Sequence, residues 1–272
     1  MPIGVCRLCR ETKELQDSHL LPKALYKQLR RLAKTDGAAN TNPIVITPAV
    51  ALQTSKQVSD YLLCTKCEDL LNKGGEKWTV ANCWWSDDCF PLRAALETAT
   101  PLHVNRKNRI RLYAGAGIVG VNISKLVHFA MGVFWRAAIH HWGPIAGHQP
   151  LKLELGPYEE QLRQFVLGEC GFPRDVSLAV SVNSETNPGA NENVLFPFLR
   201  RRKSGFRQFM FAIPGITFQL FVGKAIPRVH RVGCTATSKE QFIYLSADHF
   251  ALVDMEKLRR RAKPKGSIAR MR

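Results

Sequence analysis

Two kinds of hydrophobic spacing divide the chain. In "PKALYKQLRRLAK", Leu25, Leu29 and Leu32 recur at helical intervals behind Pro22, a residue suited to a first helical turn, so a helix is predicted there. In the long apolar segment from Ile118 to Ile139, Leu126, Ala130, Val133, Phe134 and Ala137, continuing to His141, keep helical spacing with polar residues between them. "GPYEEQLRQFVL" predicts a shorter helix, with Pro157 at its start and Leu162, Phe165 and Val166 on one side.

The pattern then changes to a period of two. Val176, Leu178, Val180 and Val182 alternate, and "FRQFMFAIPGITFQLFV" reads as two strands joined across Pro214 and Gly215. "QFIYLSADHFALV" begins as another strand, and "KLRRRAKPKGSIARMR" has no apolar repeat, which predicts an extended basic tail over 257–272. Nearer the start, "ETKELQ" has room for a short hairpin. "TDGAANTNPIVITPAV" reads as an insertion around a brief strand-like "IVI". "CTKCEDLLNKGGEKW" reads as a knuckle leading into a short helix that Gly74 and Gly75 can end. These elements predict an α+β protein: a small module over 1–78, then a helical segment and a mainly antiparallel sheet over 79–256.

Charge adds a partner class. Thirty-nine Lys and Arg against 22 Asp and Glu give a formal charge of +17, which suits a polyanion, nucleic acid above all. Basic residues gather as Lys23, Lys27, Arg30 and Arg31 in the first helix, as Arg106, Lys107 and Arg109, and as Arg200, Arg201 and Arg202. Such clusters can track a phosphate backbone, with Phe206, Tyr113 or Trp84 available for stacking. Asn122, Lys125, His128 and Arg136 interrupt the apolar segment, so a bilayer span is not expected. "MPIGVCRLCR" lacks the apolar run of a secretory signal, which predicts a reducing, cytoplasmic setting for the eight cysteines, where metal binding outranks a disulfide framework. Cys83 and Cys89 lack knuckle spacing and are expected to be buried as small apolar side chains.

Two pairs do have that spacing: Cys6 and Cys9 in "CRLC", and Cys64 and Cys67 in "CTKC". Four thiolates on two tight turns complete a tetrahedral shell, so these residues are expected to share one structural Zn2+, with separate redox or buried thiols as the alternative. Between and beside the pairs stand Asp17, Ser18, His19, Pro22 and Glu68.

"CRLC", "DSHLLPK" and "LLCTKCE" together resemble the HNH-type endonuclease family, a zinc-braced treble-clef or ββα-metal module common in bacterial and phage proteins. The resemblance covers about residues 1–78. It implies that His19 is the general base that activates water against a phosphodiester, most readily in DNA. Where the family usually has His or Asn after the last knuckle this chain has Glu68, a carboxylate suited to a catalytic Mg2+ or Mn2+, with Asp17 as a further candidate ligand. The family's middle Asn has no counterpart in "QVSDYLLC", where Ser59 or Asp60 occupies the neighbourhood; Asn72 is a polar candidate from the following helix. Two other readings stay open: a zinc finger that binds nucleic acid without cutting it, and a component of a defence or toxin system whose carboxy-terminal sheet meets a protein partner.

Overall fold

The computed structural model describes the chain except residues 36–41, 43, 47–49, 87, 144–150, 186–190, 192–193, 237–239, 248–256, 258–259, 267–268 and 270–272. Strand β1 (Ile3–Val5) and strand β2 (Thr12–His19) pair antiparallel around the first Cys pair, so "ETKELQ" forms part of one continuous strand rather than a hairpin of its own. Helix α1 (Lys23–Thr35) follows, with Leu25 and Tyr26 buried; the side chain of Leu32 lies outside the described set. The insertion carries β3 (Ile44–Ile46) and β4 (Val50–Gln53), an antiparallel pair. Strand β5 (Ser59–Cys64) then returns alongside β2 and runs directly into α2 (Thr65–Leu71), giving a strand–strand–helix unit with a bulge at Gln16–Asp17.

The helix does not end at the glycine pair. It passes through a π-helical turn, Asn72–Glu76, into α3 (Lys77–Asn82), so a boundary drawn at residue 78 falls inside a helix. The reason is steric. A Cβ on Gly75 would lie 2.4 Å from the carbonyl oxygen of Lys125 and 2.7 Å from the amide of Phe129, and one on Gly74 would lie 2.2 Å from the His128 ring. Gly75 admits another helix at backbone distance and Gly74 makes room for its His128 ring, and neither glycine terminates its own helix.

That other helix is α5 (Ile123–Ile139), reached through α4 (Pro91–Thr98), β6 (His103–Asn105) and β7 (Ile110–Ala114). Asn122 caps α5 by accepting the Lys125 amide at 3.0 Å, and His140 ends it. One side of α5 meets the π turn. The other meets a sheet through edge-on aromatic pairs, Phe129 with Phe218 at 5.4 Å and Phe134 with Phe211 at 4.9 Å. Burial on both sides explains a segment apolar nearly all round. Among the described residues no helix is long and apolar enough to cross a membrane.

Helix α6 (Tyr158–Leu167) buries Leu162 and Val166 as expected and ends at Gly168 with φ +78°. The sheet is completed by β8 (Val176–Asn183), β9 (Leu195–Lys203), the hairpin of β10 (Phe206–Ile213) and β11 (Ile216–Val222), a short helix α7 (Arg228–Val232), and β12 (Phe242–Ser246). Its order is β6-β7-β12-β8-β11-β10-β9, antiparallel throughout except where β12 runs parallel to β8. The continuation after Ser246 expected from "ADHFALV" lies largely outside the described residues. Within the basic tail, β13 (Lys263–Lys265) pairs parallel with β4, so this part is bound to the insertion between the Cys pairs.

Among the described residues the main hydrophobic core runs from Cys6 and Leu8 through α5 to Leu245, with a small second cluster of Leu195, Met210 and Ala212 on the sheet. The mixture of helices and a mainly antiparallel sheet is the α+β architecture expected, but the amino-terminal module shares its interior with the rest of the chain.

Candidate metal centre and active site

The four knuckle cysteines converge. Their Sγ atoms all lie within 4.8 Å of one another, and Cys9 and Cys64 are 3.9 Å apart. A tetrahedron with Zn–S bonds of about 2.3 Å has S–S edges of about 3.8 Å, so the cluster has the size and donor set to hold a metal ion such as zinc. Backbone geometry builds it. After Cys9 the chain enters the left-handed region at Arg10 (φ 63°), whose amide donates to the Cys6 carbonyl at 2.8 Å and closes the first knuckle. Cys64 caps α2, Cys67 lies in its first turn, and the Cys64 amide donates to Cys6 Sγ at 3.3 Å. The helix start and this N–H both favour thiolate. Hydrogen bonding from Cys67 draws the Cys6 thiol down to about 4, and the same contact pushes Cys67 up.

The first knuckle is also held from the far part of the chain. Arg163 of α6 donates through Nη1 to the Leu8 carbonyl at 2.8 Å, while Glu160 and Glu169 neutralise its guanidinium.

Next to this cluster lies a groove of about 480 Å³. The start of α1 gives one wall, with Pro22 and Lys23. The helix running from α2 through the π turn gives the other, with Glu68, Asp69, Asn72, Glu76 and Lys77; His19 and Arg136 also line the groove. His19 stands at the end of β2 with Nδ1 3.0 Å from the backbone carbonyl of Asp17. A carbonyl only accepts, so Nδ1 carries the proton in the neutral ring and Nε2 keeps its lone pair.

Glu68 and His19 therefore share one groove. Burial pushes the Glu68 carboxyl above its ordinary range, partly offset by Arg136 and the Ser18 hydroxyl, and its buried Oε1 has no hydrogen-bond partner. The other two groove carboxylates are engaged: Asp69 pairs with Lys73 at 3.0 Å, and Glu76 pairs with Arg136. Arg136 in turn donates to the His19 carbonyl at 2.9 Å. Both Arg136 and the π turn are contributions that spacing did not reveal. An arginine inside a buried apolar helix was their one sequence signal.

Asp17 does not line this groove. Its side chain is exposed, and it serves His19 through its backbone carbonyl instead. Among the described residues the four cysteines form the one group of three or more metal-ligating side chains. Asp60 pairs with His140 at 2.9 Å, while Asn72 lies on the groove wall.

The basic residues do not form one surface. Lys23 lines the groove and Lys27 is exposed on α1, but Arg30 donates to the Ser55 carbonyl at 3.0 Å and Arg31 stacks over Trp85 at 5.5 Å. Arg106, Lys107 and Arg109 belong to the β6–β7 turn, where Arg109 pairs with Glu185 at 2.9 Å. Arg200, Arg201 and Arg202 are on β9, at the opposite edge of the sheet. Six inter-strand steps separate the edges, about 29 Å. Tyr113 and Trp84 are buried, which removes them as stacking platforms; Phe206 is half-buried. Cys83 is buried as expected, whereas Cys89 is exposed.

No family model, no curated protein and no solved structure matches this chain.

Proposed function

We propose that the chain is a metal-dependent endonuclease of the HNH type, with a zinc-braced treble-clef module, acting on nucleic acid and on DNA before RNA. One observation carries the reading. His19, with Nδ1 held on a backbone carbonyl, lines the same groove as a buried Glu68 oxygen that no protein donor satisfies. A catalytic dyad of base and hard oxygen ligand requires these residue types in one groove.

In this reading Cys6, Cys9, Cys64 and Cys67 hold structural zinc. His19 Nε2 accepts the proton of the attacking water. Lys23 and Lys77 draw the phosphate into the groove, and Arg136 fixes the His19 backbone from behind. Glu68 is the ligand for Mg2+ or Mn2+, and such an ion would stabilise charge on the phosphate and the leaving oxygen.

The test uses wild-type protein, His19→Ala and Glu68→Gln with supercoiled plasmid, single-stranded DNA and RNA, in magnesium, manganese or chelator. Metal-dependent nicking is expected in the wild type, reduced about 10²–10⁴-fold in His19→Ala. If wild type and variants bind equally and none cuts under any condition, the catalytic reading falls. A binding-only zinc module then replaces it, a reading favoured by the pairing of Asp69 and Glu76, which leaves Glu68 as the one uncommitted carboxylate on the groove.

A further inference from the structure

Where the β9–β10 turn meets the exit of β11 there is a depression of about 430 Å³. Its floor is backbone pressed on backbone. Gly205 (φ +83°) turns the hairpin, and a Cβ on Gly223 (φ +141°) would lie 2.2 Å from the Gly205 carbonyl oxygen. The close crossing leaves the walls to the neighbouring side chains.

Those walls are cationic. Arg202, Lys203, Arg207 and Lys224 all line the depression, and no carboxylate does. Arg207 is pre-set: it donates to the backbone carbonyls of Glu154 and Leu155, which orient its guanidinium without cancelling its charge. Among the described residues Arg207, Lys203 and Lys224 have no acidic partner. Two carboxylates border the site and both are spent at the rim, Glu154 at 3.7 Å from Arg202 and Asp175 at 3.5 Å from Arg231.

Two rings stand among these cations. Tyr158, at the start of α6, and Phe206 are half-buried and line the same depression. A small anion would need only the charges; converging cations beside aromatic faces match a phosphate that carries a base. The volume also falls within the range of small-ligand sites, about 300–1,000 Å³.

We propose that this depression is a nucleoside-phosphate site, separate from the His19 groove, in which Arg202, Lys203, Arg207 and Lys224 hold the phosphate and Tyr158 and Phe206 meet the base. The ligand is either a nucleotide within a single strand or a free nucleotide. The site stands whether or not the His19 groove cuts nucleic acid.

Binding is measured by fluorescence anisotropy in chelator, on a His19→Ala background, so cleavage plays no part. The probe is a labelled oligothymidylate, with adenosine monophosphate and inorganic phosphate as competitors. Lys203→Ala combined with Lys224→Ala removes two phosphate contacts from exposed side chains. It is expected to weaken oligonucleotide binding about tenfold at about 0.15 M salt and to reduce the slope of log affinity against log salt by about 1.4. Near-UV circular dichroism should be unchanged. Tyr158→Ala is expected to weaken nucleotide binding while leaving competition by inorganic phosphate unaltered.

Given the loss in the double variant, displacement of the probe by adenosine monophosphate supports the site and assigns a free nucleotide. The same loss without such displacement supports it and assigns a strand. The proposal is overturned if the double variant binds every probe within twofold of its parent, or if Tyr158→Ala weakens phosphate and nucleotide alike.

Discussion

The ion pair of Glu76 and Arg136 ties the π turn to α5 and sits behind His19, so its removal should be read first in stability. The Arg136 side chain is 2% exposed and that of Glu76 13%. Glu76→Gln keeps size and hydrogen-bonding capacity but leaves a buried guanidinium without its counter-charge. Breaking a buried pair in this way costs about 3–5 kcal/mol. At a urea slope of about 3 kcal/mol per molar, the unfolding midpoint should fall by about 1–2 M. Equilibrium urea unfolding followed by circular dichroism at 25 °C measures this. Glu76→Leu combined with Arg136→Met should recover much of the loss, because no charge is then stranded. The recovery is incomplete, since the His19 carbonyl loses its 2.9 Å donor, a term of about 1–3 kcal/mol. A loss below about 1 kcal/mol for Glu76→Gln would refute the argument that this pair locks the two parts together.

Three further outcomes are expected. Cys64→Ser should lower bound zinc and unfold the strand–strand–helix unit, seen by metal analysis and far-UV circular dichroism; full zinc with intact folding would count against the four-cysteine centre. Gly75→Ala should destabilise by about 3 kcal/mol in thermal or urea unfolding, because the added methyl meets fixed backbone at Lys125 and Phe129. Burial lowers the pKa of His128, with Lys125 and Arg136 adding to the effect and the Val166 carbonyl and Glu76 opposing it. The unfolded chain thus binds the proton more readily. The contribution is fully present above about pH 6.5 and is lost as pH falls from there through the folded value, so His128→Asn should flatten stability against pH in that window.

Local chemistry was readable in the sequence where one segment determines it. The knuckles, the Pro-started helices, the long apolar helix and the Pro214–Gly215 hairpin all follow from neighbours in the chain, whereas the Asn122 cap of that helix is seen only in the structure. Gly215 turns that hairpin with φ +74°. Misreadings arose where a distant segment decides. Gly74 and Gly75 look like a helix stop until α5 lies across them. Asp17, at the register shift on β2, has an exposed side chain and meets His19 through its backbone carbonyl, a contact its place in the sequence does not show. Arg136 looks like an interruption in an apolar run, and only packing shows that it supports His19. The basic clusters looked alike in composition, yet the strand order sends two of them to opposite edges of one sheet.

The pairing of near and far segments also fixes when the protein can become competent during its synthesis. His19 leaves the ribosome early, but the arginine that steadies its backbone follows 117 residues later, and the arginine that holds the Leu8 turn follows 155 residues later. An interrupted translation product carrying both cysteine pairs would still lack the back of its groove. The first unit is thereby fully braced only when the later helices have been made.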